Sequence, residues 1–238
     1  MSKFYIATPI YYVNDKPHIG HAYTTIAADV LARYRRLRGD EVLFLTGTDE
    51  NSQKNVEAAE REGEHDLKKY VDRMAAVWQG TWDSLGITND DFIRTTEERH
   101  IKGVNKFVQA VWDKGDIYKG TYRGLYCAGC EEFKTETDLI DGKCPEHQKP
   151  VEELTEENYF FRLSKYRDAL LAYHDEHPEF LQPQSRRNEI LNYIRDAMQD
   201  ISITREGAQW GIPLPQDPTQ AIYVWFDALL NYISAIVP

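Results

Sequence analysis

The apolar positions of the first half of the chain change period several times. "KFYIAT", residues 3–8, is rich in β-forming side chains, and residues 10–13 continue the run until Asn14, Asp15 and Pro17 break it. From Gly20 onward, Tyr23, Ile26, Ala27, Val30, Leu31 and Tyr34 recur at helical spacing, which stops near Gly39. "EVLFLTG", residues 41–47, is nearly unbroken and predicts a strand buried on both faces. A crossover of this length between two strands predicts a parallel, right-handed βαβ unit. Helical patterns follow over residues 54–62, 66–85 and 97–114, with a short strand expected at 91–94.

The pattern changes after Gly115. Residues 116–153 carry many turn formers and short β-like pieces, and helical spacing resumes only at 165–174 and 188–200. "WGIPLPQDP", residues 210–218, is rich enough in proline to predict a loop or linker. The last stretch, "AIYVWFDALLNYISAIVP", predicts a buried strand running into a helix. The expected organisation is an α/β, Rossmann-like parallel sheet interrupted by an insertion. Residues 1–115 form the first half of that domain, 116–215 the insertion, and 216–238 the start of the second half.

Composition narrows the class. With 238 residues, 42% hydrophobic content and five tryptophans, the chain can bury a substantial core. A formal charge of −11 argues against nucleic acid wrapped on all sides, although a clustered patch would suffice for local phosphate contacts. "ARYRRLRG", residues 32–39, is the densest basic cluster, and its simplest reading is the solvated face of a helix. The N-terminus has no apolar signal region, and no run of about 18 apolar residues exists to span a membrane. Three cysteines, close together and odd in number, suit a reducing compartment and a metal better than a disulfide framework. A cytoplasmic protein is expected.

Three constellations carry chemistry. His18, Gly20 and His21 stand where an extended segment gives way to a helix, whose free N–H groups and positive dipole end attract an anion. No Walker A loop or G-x-G-x-x-G is present, so the common ATPase and dinucleotide readings lose ground. Asp49, just past the second strand, could hold a ligand ammonium or serve as a helix N-cap, and the sequence permits both. Cys127-x-x-Cys130, thirteen residues, then Cys144-x-x-His147 forms two ligand pairs suited to one tetrahedral, structural zinc within residues 122–150. His147 is the least secure of the four, and Gly129 and Gly142 suit tight turns there.

"PHIGH", one loop after the first strand, resembles the HIGH signature of class I aminoacyl-tRNA synthetases. With "FLTGTDE", "DDFIRTTEERH", "DIYKGTYRGLYCAGC", "WGIPLP" and "YVWFDALLNY" in order, the chain resembles the methionyl-tRNA synthetase family nearly end to end. The resemblance implies a methionine–tRNA ligase, which activates methionine with ATP and Mg²⁺ and passes it to tRNA(Met). It implies that His18 and His21 are catalytic and bind ATP together with Asn14, Lys16 and Gly20, the glycine letting the adenine approach the backbone. It assigns methionine to Ile10, Tyr12, Asp49, Trp225, Ala228, Leu229 and Tyr232, and places zinc in the connective insertion.

The chain departs from the family in two ways. Asn51-Ser52 follows "TGTDE" where His-Gly is common, and the sequence stops at Pro238, before the KMSKS loop and the anticodon-binding helices. It therefore reads as a truncated catalytic core. Two alternatives stay open: a catalytically silent, zinc-containing module that binds methionine or a nucleotide, and another class I synthetase. Against the latter, an insertion of roughly one hundred residues leaves no room for an editing domain, and the aromatic pocket positions favour a thioether.

Overall fold

A computed structural model of the chain describes residues 2–127, 129, 132–134, 138–207 and 210–237. It divides into two compact units, residues 1–108 with 207–238, and residues 109–206.

The first unit is built on a parallel sheet. Strands β1 (Lys3–Ala7) and β2 (Tyr11–Tyr12) lie one after the other beside β3 (Glu41–Asp49), and β4 (Asp91–Arg94) pairs with β3 as well. All these pairings are parallel: β1 matches Glu41–Leu45 of β3, β2 matches Thr48–Asp49, and β4 matches Leu45–Thr48. The last six residues of β3 are buried, as its apolar run predicts. Gly47 is required within it, because a Cβ there would lie 2.1 Å from the Ile93 carbonyl of β4. Helix α1 (Ile19–Leu37) joins β2 to β3, and α2 (Gln53–Arg61), α3 (Leu67–Ser84) and α4 (Glu98–Asp113) follow where the helical pattern places them. Tyr11 and Val13 pack with Ala58 and Ala59 of α2 and with Tyr70, Met74, Trp78 and Trp82 of α3 in one buried cluster.

The periodic apolar positions of α1 are not the ones it buries. Its buried residues are Thr25, Asp29 and Ala32, while Ile19, Tyr23, Val30 and Leu37 are 88%, 77%, 61% and 89% exposed. The polar buried face is satisfied by specific bonds: Thr25 Oγ1 with Tyr11 Oη at 3.0 Å, and the Thr88 N–H donating to Asp29 Oδ1 at 2.7 Å. The arginine cluster is tied down too, Arg33 to Asp29, Arg35 to Asp40 and Arg36 to Asp90. Exposed apolar side chains recurring at helical spacing favour association in water. The chain alone is expected to bind a hydrophobic dye and to self-associate with concentration. The double variant Tyr23→Glu/Val30→Glu should sediment as a smaller species, and unchanged sedimentation would remove this role from the stripe.

The proline-rich segment 210–218 is not only a loop. Strand β10 (Pro213–Leu214) pairs antiparallel with β11 (Asp217–Ile222), and Leu214 is fully buried. Proline is tolerated because a strand of two residues needs few ladder donors. After β11 the chain forms two short helices, α7 (Val224–Ala228) and α8 (Asn231–Ser234), rather than one.

In the second unit the short β-like pieces merge into long strands. Strand β5 (Ile117–Cys127) pairs antiparallel with β7 (Glu152–Phe161) over ten residue pairs, and β6 (Glu132–Lys134) and β8 (Ile201–Ser202) flank them. Tyr118 stacks on its cross-strand partner Phe160, with ring centroids 5.5 Å apart. Helix α5 (Arg167–Glu176) follows a single 3₁₀ turn, α6 (Gln184–Asp196) begins four residues earlier than its apolar spacing predicts, and β9 is Thr204–Glu206.

Candidate active site and metal cluster

The polar constellations meet at the carboxyl ends of β1–β2 and β3, where ligands collect in open parallel sheets. A cavity of about 510 Å³ opens there. Ile10, Tyr12, Asn14, Lys16, His18 and His21 line it from the N-terminal segment, and Asp49 lines it from the end of β3. Trp225, Ala228, Leu229 and Tyr232 line it from α7, α8 and the turn between them. Of the site residues expected in this unit, Gly20 alone is not part of the lining.

The two histidines are fixed by backbone bonds. His18 is the N-cap of α1; its Nδ1 accepts from the Gly20 N–H at 3.0 Å, and His21 Nδ1 accepts from the His18 N–H at 3.2 Å. This reciprocal arrangement satisfies donors that a helix start otherwise leaves open. The imidazole centroids are 3.7 Å apart. A Cβ on Gly20 would lie 2.8 Å from His18 Cε1, so glycine makes room for the capping ring. A neutral imidazole that accepts at Nδ1 carries its proton on Nε2. Burial, with the neighbouring His18 second, pushes the His21 imidazole below its ordinary range, so it stays neutral and keeps an Nε2–H to donate.

The loop before α1 is held from α3. Tyr70 Oη donates to the Val13 carbonyl at 3.1 Å, and Trp78 Nε1 donates to the Asp15 carbonyl at 3.1 Å. Trp78 also stacks on Tyr11, with centroids 5.1 Å apart, and both residues line the cavity. Helical spacing marks Trp78 only as a core residue; nothing local in the sequence says that it faces a cavity.

Asp49 is 4% exposed and is the last residue of β3, in register with Tyr12. Ser52 caps α2 through its side chain, which removes the N-cap alternative for Asp49. The next residue, Glu50, is fully buried and accepts from Arg94 Nε and Nη2 at 2.7 and 2.9 Å. Trp225 of α7 meets Tyr12 edge-on at 6.4 Å. Asn231 also lines the cavity and is 1% exposed; its Nδ2 donates to the Ala228 carbonyl at 2.6 Å, leaving Oδ1 without a partner among the described residues.

The metal candidates lie in the second unit. Cys127 and Cys144 are buried, and their Sγ atoms stand 4.0 and 3.8 Å from His147 Nδ1. The three ligand atoms lie within 4.8 Å of one another. Two thiolates and an imidazole at this separation fit the edges of a tetrahedral site with metal–ligand bonds of about 2.0–2.3 Å. Gly129 is required by the cluster, since a Cβ there would lie 2.5 Å from the His147 ring. Cys130 falls outside the described residues.

Comparison with known proteins specifies the class of this parallel α/β sheet with paired imidazoles at the start of its first helix. The family described as tRNA synthetases class I (M) matches residues 4–153 and 147–237. The chain is 52% identical to the methionine–tRNA ligase of Streptomyces coelicolor and 54% identical to that of Thermotoga maritima, covering 98% of this chain in both cases and 45% and 38% of those proteins. Mycobacterium tuberculosis methionyl-tRNA synthetase in complex with methionyl-adenylate superposes with a TM-score of 0.93 at 40% identity, over 100% of this chain and 48% of that one. The chain belongs to this class I synthetase family, with its α/β catalytic fold, and spans less than half the length of these relatives. Among the described residues no helix is long and apolar enough to cross a membrane.

Proposed function

We propose that this chain is part of the catalytic core of a methionine–tRNA ligase, a cytoplasmic enzyme that forms methionyl-adenylate and passes the methionyl group to tRNA(Met). The observation that carries this reading is the cavity that gathers the two imidazoles, Asp49 and the Tyr12–Trp225 wall. The adenylate in the M. tuberculosis relative supports it.

ATP enters with Mg²⁺, its phosphates toward the start of α1. There Asn14, Lys16, His18 and His21 supply donors, and Gly20 supplies the tight helix entrance. The methionine carboxylate attacks the α-phosphorus, the bond to the pyrophosphate oxygen breaks, and pyrophosphate leaves. Negative charge gathers on the α-phosphate oxygens in the transition state, where the Nε2–H groups of His18 and His21 donate. Asp49 receives the methionine ammonium. Ile10, Tyr12, Trp225, Ala228, Leu229 and Tyr232 surround the thioether, each sulfur–ring contact contributing about 0.3–1.5 kcal/mol.

The second unit would serve as the connective insertion, with one zinc held by Cys127, Cys144, His147 and Cys130. Bound there, the metal supplies order to a loop-rich segment and takes no part in the chemistry.

Methionine-dependent ATP–pyrophosphate exchange tests the reading, on the chain and on a version extended to the relatives' length. Asp49→Asn should weaken methionine about 10- to 150-fold, the value of one charge-assisted hydrogen bond. An extended protein without exchange, or one faster with leucine, isoleucine or valine than with methionine, would end it.

A further inference from the structure

Behind Asp49 lies a second carboxyl group that the mechanism does not use. Asp227 of α7 is fully buried, and its Oδ2 accepts from Asn51 Nδ2 at 2.7 Å. Asn51 also donates its backbone N–H to Asp49 Oδ1 at 3.3 Å, so one residue touches both carboxyl groups. Asn55 Nδ2 donates to the Asp49 carbonyl at 3.0 Å and holds the strand end in place. Asp227 Oδ1 is buried with no hydrogen-bond partner among the described residues.

The charges around Asp227 offer no compensation. Asp49 is the charged group that acts on it, and no Lys, Arg or His is among the groups that shift it. On α4, which meets α7 through Phe107 and Phe226, His100 bonds Ser234 and is pushed down to about 4 by burial, so it is neutral. A buried, unpaired carboxylate beside another carboxylate is prohibitively costly, and such a group neutralises instead.

We propose that Asp227 is a positioning residue held as a neutral acid, so that the Asp49–Asn51–Asp227 network presents one negative charge, matched to one ligand ammonium, at the amine end of the cavity. The inference rests on the reading of Asp49 as the ammonium partner. Burial first, and the Asp49 charge second, push the Asp227 carboxyl well above the usual carboxylate range, against the opposing bonds from Asn51 and Ala228. Asparagine reproduces this state: its Oδ1 can accept from Asn51, and its amide nitrogen can take the place of the protonated oxygen.

Two measurements on the chain test it. Thermal unfolding of wild type and Asp227→Asn is compared across pH. Because the folded-state proton is bound more tightly than the unfolded one, wild-type stability relative to the variant is greatest near the ordinary value of 3.8 and falls as pH rises from there. The variant should therefore gain in melting temperature relative to wild type between pH 4 and pH 8, and parallel curves would overturn the neutral acid. Methionine affinity is then measured by equilibrium dialysis. Asp227→Ala should weaken it about tenfold, one misplaced polar contact, and Asp227→Asn should restore it to within about threefold. An Asp227→Asn loss as large as that of Asp49→Asn would mean that Asp227 carries charge, and would overturn the inference. Wild type that binds no methionine at any pH would instead overturn the assignment of Asp49 and with it the network's role, while the melting curves still report independently on the Asp227 proton.

Discussion

On the proposed reading, replacing His21 with asparagine should lower the rate of methionyl-adenylate formation about 10²- to 10³-fold, the typical effect of losing one transition-state donor, and leave the fold intact. The reason lies in how the ring is used. Nδ1 of His21 takes the His18 N–H at 3.2 Å, and an asparagine Oδ1 can reach the same position. The variant should keep the helix cap and lose only the Nε2–H that the proposed mechanism uses. The effect should fall on kcat, with KM for methionine little changed, because the proposed methionine contacts come from other lining residues. Glutamine, which reaches like Nε2 but cannot hold the cap as Nδ1 does, should lose stability instead. A rate within about threefold of wild type for His21→Asn in the extended protein would remove His21 from the chemistry.

The same ring gives a pH dependence. His21 is pushed below its ordinary value of 6.5 by burial and by His18, so the unfolded chain takes up the proton first as pH falls. Stability is complete above 6.5 and declines as pH drops below it toward the lowered value. Protonation at Nδ1 also destroys the acceptor that anchors the His18 N–H. Wild type should lose stability faster than His21→Asn on acidification, seen as converging melting curves.

Metal removal is the second large effect. A chelator, or Cys144→Ser, should abolish order around Cys127, Cys144 and His147, with the measured zinc falling from about one per chain to near zero. Structural zinc in small domains contributes roughly 10–16 kcal/mol of apparent binding free energy at neutral pH, so loss of one thiolate costs a large part of local stability. Cys144 is fully buried, and the three candidate ligand atoms of Cys127, Cys144 and His147 lie within 4.8 Å of one another, close enough to share one ion. Near-UV circular dichroism of the second unit and metal analysis check this together. A metal-free sample with an unchanged spectrum would count against a structural metal.

The sequence by itself determined the elements of the first unit and most of the residues that line its cavity. Period 3.6 in α1–α4, the unbroken run of β3 and the break at Asn14–Pro17 are local signals, set by steric preference and side-chain spacing over a few residues. The sequence placed His18 and His21 at the helix entrance, whereas their mutual capping bonds appear only in the structure. The cysteine–histidine spacing was legible because short ligand pairs imply a turn.

Only the tertiary structure decided what those elements face. The apolar stripe of α1 looks core-forming by period, yet burial falls on Thr25 and Asp29, whose bonds come from Tyr11 and Thr88. Strands β5 and β7 looked fragmentary because Gly120, Lys119 and Thr121 interrupt the apolar pattern; a ladder of ten cross-strand pairs supplies the continuity that composition hides. Segment 213–214 became a strand once β11 offered it a partner. Tyr11, Trp78 and Asn231 joined the cavity, and Asn51 met Asp227 across 176 positions of chain. Local patterns encode which conformation a segment takes, whereas burial, partner identity and the protonation of a carboxyl group depend on atoms that only folding brings within a few ångströms.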